Sequence, residues 1–177
     1  NLEGFTITNG SIGGIYINYY QNVYVSDCNI INNIATEGTR GGISVYNSTL
    51  HILNCLVDGN KGSLRGGVSI GSSNVYIVNT KITNNFGGFG GGLLTQYSYV
   101  ELSGTTIAHN NALLMGGGIL TDHLINFDTG NLCNIYSNYA GAGNDIFYGF
   151  AENISNFHVI LDTFTVLEPT NHNILIS

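Results

Sequence analysis

Short bursts of alternating apolar and polar residues run along this chain, and they come in sets of three. The first burst of each set follows a pair of glycines: Ile15-Tyr-Ile17, Ile43-Ser-Val45, Val68-Ser-Ile70, Leu93-Leu-Thr95 and Ile119-Leu-Thr121. After a corner, a second burst alternates again: Val23-Tyr-Val25, Leu50-His-Ile52, Val75-Tyr-Ile77, Val100-Glu-Leu102 and Ile125-Asn-Phe127. The third reads small-x-aliphatic-x-x-Asn: Cys28-x-Ile30-x-x-Asn33, Cys55-x-Val57-x-x-Asn60, Thr80-x-Ile82-x-x-Asn85 and Thr105-x-Ile107-x-x-Asn110. Cys133-x-Ile135-x-x-Asn138 joins them once three residues are inserted after Phe127. Period-two alternation predicts strands buried on one side. No segment keeps a helical period.

The sets recur at a fixed interval. Their glycine pairs begin at Gly13, Gly41, Gly66, Gly91 and Gly117, in steps of 28, 25, 25 and 26 residues. A period of this size marks a solenoid, whose repeat unit cannot bury its apolar face alone but can do so against neighbouring copies. Three inward-facing strands per turn predict an all-β parallel β-helix of about five full rungs, with partial rungs at both ends. At ~4.8 Å between paired strands, five rungs span roughly 25 Å. The glycines are expected at a crowded corner with positive φ. The column Asn33, Asn60, Asn85, Asn110, Asn138 is expected to form a ladder of stacked amides. Cys28, Cys55 and Cys133 share a column with Thr80 and Thr105, and read as buried small hydrophobes rather than a disulfide framework. Phe86-Gly-Gly-Phe-Gly-Gly-Gly92 lacks the strand-turn-helix context of a phosphate loop and reads as a flexible corner.

The paired glycines with a following aliphatic, and the aliphatic-x-x-Asn ending, resemble the repeats of polymorphic outer membrane proteins and autotransporter passengers. The opening Gly4-Phe-Thr-Ile-Thr-Asn-Gly10 is similar to the start of many β-helix repeats of the pectin-lyase-like superfamily. The resemblance covers residues 4–147. It implies a right-handed coil, in keeping with the handedness of parallel crossovers. It leaves function open, because the fold hosts lyases, hydrolases and adhesins.

Charge narrows the choice. Four Lys and Arg stand against 11 Asp and Glu, a net charge of −7. Such a surface disfavours nucleic acid and anionic membranes as partners, and no apolar run approaches the ~18 residues of a membrane helix. The lyases and hydrolases of the superfamily need clustered acids beside a basic group. Here Arg40 and Arg65 share a column, with Glu37 and Asp58 nearby, and a screened surface pair is the expectation. The five histidines share no column, no metal-ligand spacing appears, and no carboxylate pair suits glycoside hydrolysis. No catalytic residue, metal or cofactor is therefore assigned. Glycan or a surface protein is the expected partner of an extracellular or cell-surface, adhesin-like segment. A polysaccharide lyase or glycoside hydrolase is the alternative.

Tyrosine is the most suggestive surface residue. Tyr19, Tyr20, Tyr46, Tyr97 and Tyr99 are expected in the corner between the first and second strands, and Tyr24 and Tyr76 on the outer face of the second strand with His51 between them. Rows of aromatic rings can stack on sugar rings or anchor a protein interface. Outward Leu94 and Leu120 form a second candidate patch. The chain opens in mid-rung, with Phe5, Ile7 and Gly10 in the columns of Cys28, Ile30 and Asn33, as expected of a piece of something longer. Residues 1–147 are assigned to the repeats. From Ala140 the pattern decays, Ile146-Phe147 resembling a degenerate rung opening, and residues 148–177 are assigned to irregular last rungs or a C-terminal cap.

Overall fold

A computed structural model of the chain describes residues 1–35, 40–149 and the backbone of Ile174–Ile176. The loop at 36–39, Glu37 within it and most of the proposed cap lie outside the described residues. The chain winds as a parallel β-solenoid: two sheets of six strands, one of seven and one of three. The first face carries Ile15–Asn18, Ile43–Tyr46, Val68–Gly71, Leu93–Gln96, Ile119–Thr121, Ile146–Tyr148 and Ile174–Ile176. The second carries Leu2–Glu3, Val23–Ser26, Thr49–Leu53, Asn74–Val78, Tyr99–Ser103 and Ile125–Phe127. The third carries Thr6–Thr8, Asn29–Ile31, Leu56–Asp58, Lys81–Thr83, Thr106–Ala108 and Asn134–Tyr136.

Register follows the repeat. Val23, Leu50, Val75, Val100 and Ile125 stack in one inward column. Ile7, Ile30, Val57, Ile82, Ile107 and Ile135 form another. Most of these side chains are fully buried, and each contributes about 1.5–3 kcal/mol relative to exposure. The offset between rungs grows from Val100↔Ile125 to Thr106↔Asn134, which places the three-residue insertion where the sequence required it, between Phe127 and Cys133. Ile146 pairs with Ile119, so the degenerate opening is a strand of the first face.

The asparagine column is a continuous relay. Asn33 Nδ2 donates to Asn60 Oδ1 (2.9 Å), Asn60 to Asn85 (3.0 Å), Asn85 to Asn110 (3.0 Å) and Asn110 to Asn138 (3.0 Å). The second proton of each amide goes back to a carbonyl one rung earlier, as from Asn85 to Val57 O. Each Oδ1 also accepts a main-chain N–H from the rung before it, as Asn85 Oδ1 does from Asn60. No amide atom is wasted, which is what burial demands. The relay stops at Asp145: its Oδ1 accepts from both Nδ2 (2.9 Å) and the main-chain N–H (3.2 Å) of Asn138.

The ladder also explains the second glycine of each pair. A Cβ on Gly67 would stand 2.6 Å from Gly92 O and 2.8 Å from Asn85 Nδ2. The reason is therefore occupied space. Of the five pairs only Gly13 has positive φ, contrary to expectation. Other left-handed residues precede two of the pairs, at Gly90 and Gly116, or sit at the other corners, in columns such as Asp27, Asn54, Asn79 and Gly104, where Asn, Asp and Gly tolerate that conformation.

The cysteines are free, and Cys133 is only partly buried, against expectation, whereas Cys28 and Cys55 are buried as expected. They are also donors: Cys28 Sγ bonds Ser26 O (3.1 Å) and Cys55 Sγ bonds Leu53 O (3.2 Å), as Thr80 Oγ1 bonds Val78 O (3.0 Å). The column thus takes a small donor, which explains why both Cys and Thr occur in it.

Two expectations fail together. Phe86-Gly-Gly-Phe89 is a strand rather than a flexible corner, and it pairs with Asn111–Met115, which pairs with Tyr139–Ala142 in the fourth sheet. After it the chain reverses through Gly90, Gly116 and Gly143, all at positive φ, with no room for a Cβ against Leu94, Leu120 and Phe147 respectively. The fourth sheet consequently folds against the outer side of the first face. Leu94 and Leu120, expected as an exposed patch, are 5% and 1% accessible, clustered with Phe147 and covered by Phe89, Met115 and Ala142.

Candidate ligand-binding surfaces

The arginines are held by aromatic rings. Arg40 Cζ lies 4.0 Å from the centroid of Tyr16, and Arg65 Cζ lies 5.7 Å from that of Tyr46. Asp58 accepts instead from Thr83 Oγ1 (2.6 Å) and Asn84 Nδ2 (2.7 Å). Cation–π contacts of this kind fasten a side chain to the surface. Among the described residues no three His, Cys, Asp or Glu side chains are grouped to hold a metal ion.

On the second face, the strand register places Tyr24, His51 and Tyr76 in one outward column. Their rings stack at 4.5 and 4.8 Å with interplanar angles of 7° and 9°. Strand spacing and ring-stacking distance nearly coincide, so parallel in-register strands produce this pile without rotamer strain. Tyr99 tilts over its end, 5.9 Å from Tyr76. The Tyr99 hydroxyl donates to Glu101 Oε2 (3.1 Å) and accepts from Asn126 Nδ2 (2.8 Å).

At the corner between the first and second faces, Tyr19, Asn47, Ser72 and Tyr97 fall in one column, directly after the paired residues Asn18, Tyr46, Gly71 and Gln96. All four have φ between 48° and 61°. Tyr19 and Tyr97 are 75% and 73% exposed. Beside this column lies a groove of about 380 Å³ lined by uncharged polar side chains, among them Gln21, Asn47, Thr49, Ser72 and Asn74, together with Tyr97; Gln21 comes from the rung of Tyr19, whose own ring is outside the lining. Its floor is rigid. Ser48, Ser73 and Ser98 are buried, each donating to the carbonyl two residues earlier, and Ser73 Oγ and Ser98 Oγ each accept the main-chain N–H of the serine one rung before. Tyr97 is anchored from the next rung: its N–H donates to the buried Asp122 carboxylate (2.9 Å), which also bonds His123 Nδ1 (2.8 Å). The His123 ring meets Tyr97 edge-on at 5.8 Å.

The seven tyrosines therefore divide. Tyr24, Tyr76 and Tyr99 belong to the second face, and Tyr19, Tyr20 and Tyr97 to the corner. Tyr46 ends a first-face strand, covering Gly71 and approaching Ser69 Oγ at 3.4 Å; Tyr46 and Tyr99 thus leave the corner to which the sequence pattern assigned them. Sequence reasoning missed the Asp122–His123 pair, whose signal is only adjacency, and a second cleft of about 260 Å³ between the first face and the fourth sheet, lined by Leu64, Arg65, Phe89, Leu94, Gln96 and Leu120.

The Ser103 hydroxyl, then the N–H of Gly130, hold the Asp128 carboxyl below the usual carboxylate range. Burial pushes the thiols of Cys55 and Cys133 up. Neither set surrounds a cleft. Comparison of the chain with protein-family models, curated proteins and solved structures returned no match.

Proposed function

We propose that this chain is a non-catalytic, adhesin-like segment of an extracellular or cell-surface protein, which presents a rigid outer surface to glycan or protein. The observation that carries this reading is the set of aromatic rings held in register on the outer surface, above all the Tyr24–His51–Tyr76 pile. Rings fixed by the strand spacing are pre-organised, so little conformational entropy is lost when a sugar ring or a partner packs on them. The likeness of the repeats to those of polymorphic outer membrane proteins and autotransporter passengers, within the pectin-lyase-like superfamily, agrees with it. So does the placement of Arg40 and Arg65 on aromatic rings.

The test is incubation of the chain with a panel of neutral and acidic polysaccharides, scored for retention and for new chain ends. Retention without cleavage is the expected result. New chain ends would overturn the reading in favour of a lyase or hydrolase.

A further inference from the structure

The corner column breaks a local rule twice. A left-handed backbone suits Gly and Asn, is tolerated by small polar residues, and is an outlier for a bulky side chain. Asn47 and Ser72 obey this rule in the middle of the column, whereas Tyr19 and Tyr97 violate it at either end. Neither tyrosine gains burial in exchange, since both rings are about three-quarters exposed. Strain of this kind, with no packing return, is characteristic of functional positions. The protein also secures one of these rings, through the Tyr97 N–H bond to Asp122 and the edge contact with His123.

The two rings stand three rungs apart, about 14 Å at the usual strand spacing. The surface between them offers amides and hydroxyls at every rung, over a floor of buried serines, and among the described residues no charged side chain lines the groove. Aromatic platforms flanking uncharged donors and acceptors suit a ligand with apolar ring faces and many hydroxyl groups.

We infer that the groove that starts at Tyr97 and runs toward the rung of Tyr19 is a binding site for a short stretch of uncharged glycan. The sugar rings pack on the two tyrosines, and their hydroxyls bond Asn47, Ser72, Thr49 and Asn74. The inference rests on the binding role proposed above and gives it a place and a ligand class. A net charge of −7 adds a penalty against acidic chains.

The experiment uses the full chain and the variants Tyr19→Asn and Tyr97→Asn, because asparagine already occupies this column at Asn47 and adopts its backbone. Binding of soluble oligosaccharides from cellulose, xylan and mannan, with oligogalacturonate as the acidic counterpart, is measured by calorimetry, and Tm by thermal unfolding. We expect at least one neutral series to bind, each variant to weaken that binding tenfold or more, and Tm to stay level or rise. A fall in Tm would mean that the tyrosines serve the fold, and would overturn the inference. So would equal binding of oligogalacturonate, or parent-like binding by both variants. In that last case, loss of binding in Tyr24→Ala and Tyr76→Ala would move the site to the second face and leave the broader role standing. No binding by the parent chain would sink the groove and the glycan part of the broader role together.

Discussion

Two columns of this solenoid carry polar residues at one per rung, and they behave oppositely. The inner one repeats asparagine from Asn33 to Asn138, fully buried. The outer one, at the corner between the first two faces, reads Tyr19, Asn47, Ser72, Tyr97 and faces solvent. Inside, every amide atom has a partner one rung away, so any other side chain leaves buried donors and acceptors unpaired. Outside, water can satisfy whatever the protein does not. Identity is therefore imposed by neighbours in the first column and left free for other uses in the second.

The strongest way to break this contrast is to change one amide in each column. Asn85→Leu keeps the branching and heavy-atom count but leaves the Asn60 N–H and one Asn60 amide proton without an acceptor, and removes a donor from Val57 O and from Asn110 Oδ1, which retains only the residue-85 N–H. With about 1–3 kcal/mol lost per unsatisfied buried group, it should cost about 3 kcal/mol or more in urea unfolding. Asn47→Gly, which suits the left-handed backbone and removes only an exposed 3.3 Å bond to Asn18, should stay within about 0.5 kcal/mol. Equal effects would erase the distinction.

A smaller effect sharpens it in a third column. Cys55→Thr supplies the donor found at Thr80 and Thr105 and should shift stability by less than about 0.5 kcal/mol, while Cys55→Val, which leaves a buried carbonyl without its donor, should cost about 1 kcal/mol. Both are read from unfolding midpoints at constant slope.

The smallest effect lies at the surface. The Asp128 pKa is depressed in the folded chain, so its stabilising contribution is present above the unfolded-state value near 3.9 and is lost as pH falls through the folded value. A pH series of melting temperatures should show Asp128→Asn losing a slight advantage at neutral pH that disappears in acid. A constant difference down to pH 2 would rule out this linkage.

Most of the fold was legible because the information is local and repeated. Alternation at Val75-Tyr-Ile77 and its counterparts set the strands, the glycine spacing set the register, and the Asn column announced the ladder. The fourth sheet was not legible. Phe86–Phe89 is half glycine and has no alternation, and it becomes a strand by pairing, across a register shift, with Asn111–Met115, which pairs in turn with Tyr139–Ala142. The burial of Leu94 and Leu120 inherits that blindness, since Phe89 and Met115 on that sheet cover them. At the candidate site, the sequence pattern put Tyr19 and Tyr97 in the same corner, and the strand register then set them in one column with Asn47 and Ser72. Their backbone conformation could not be read, because nothing in a tyrosine announces positive φ.

The carboxylate of Asp145 has a consequence for how such a protein changes length over evolutionary time. The relay accepts any rung that brings one asparagine. A duplicated 25-residue unit such as the one from Gly41 to Arg65 could enter between existing turns and lengthen the rod by about 4.8 Å per copy, with every amide still served. A duplication carrying Asp145 inward would place an oxygen that accepts but does not donate in the middle of the chain of bonds, and the next amide oxygen would lose its donor. The molecule is thus permissive to gene duplication along its regular turns and resistant to it at Asp145.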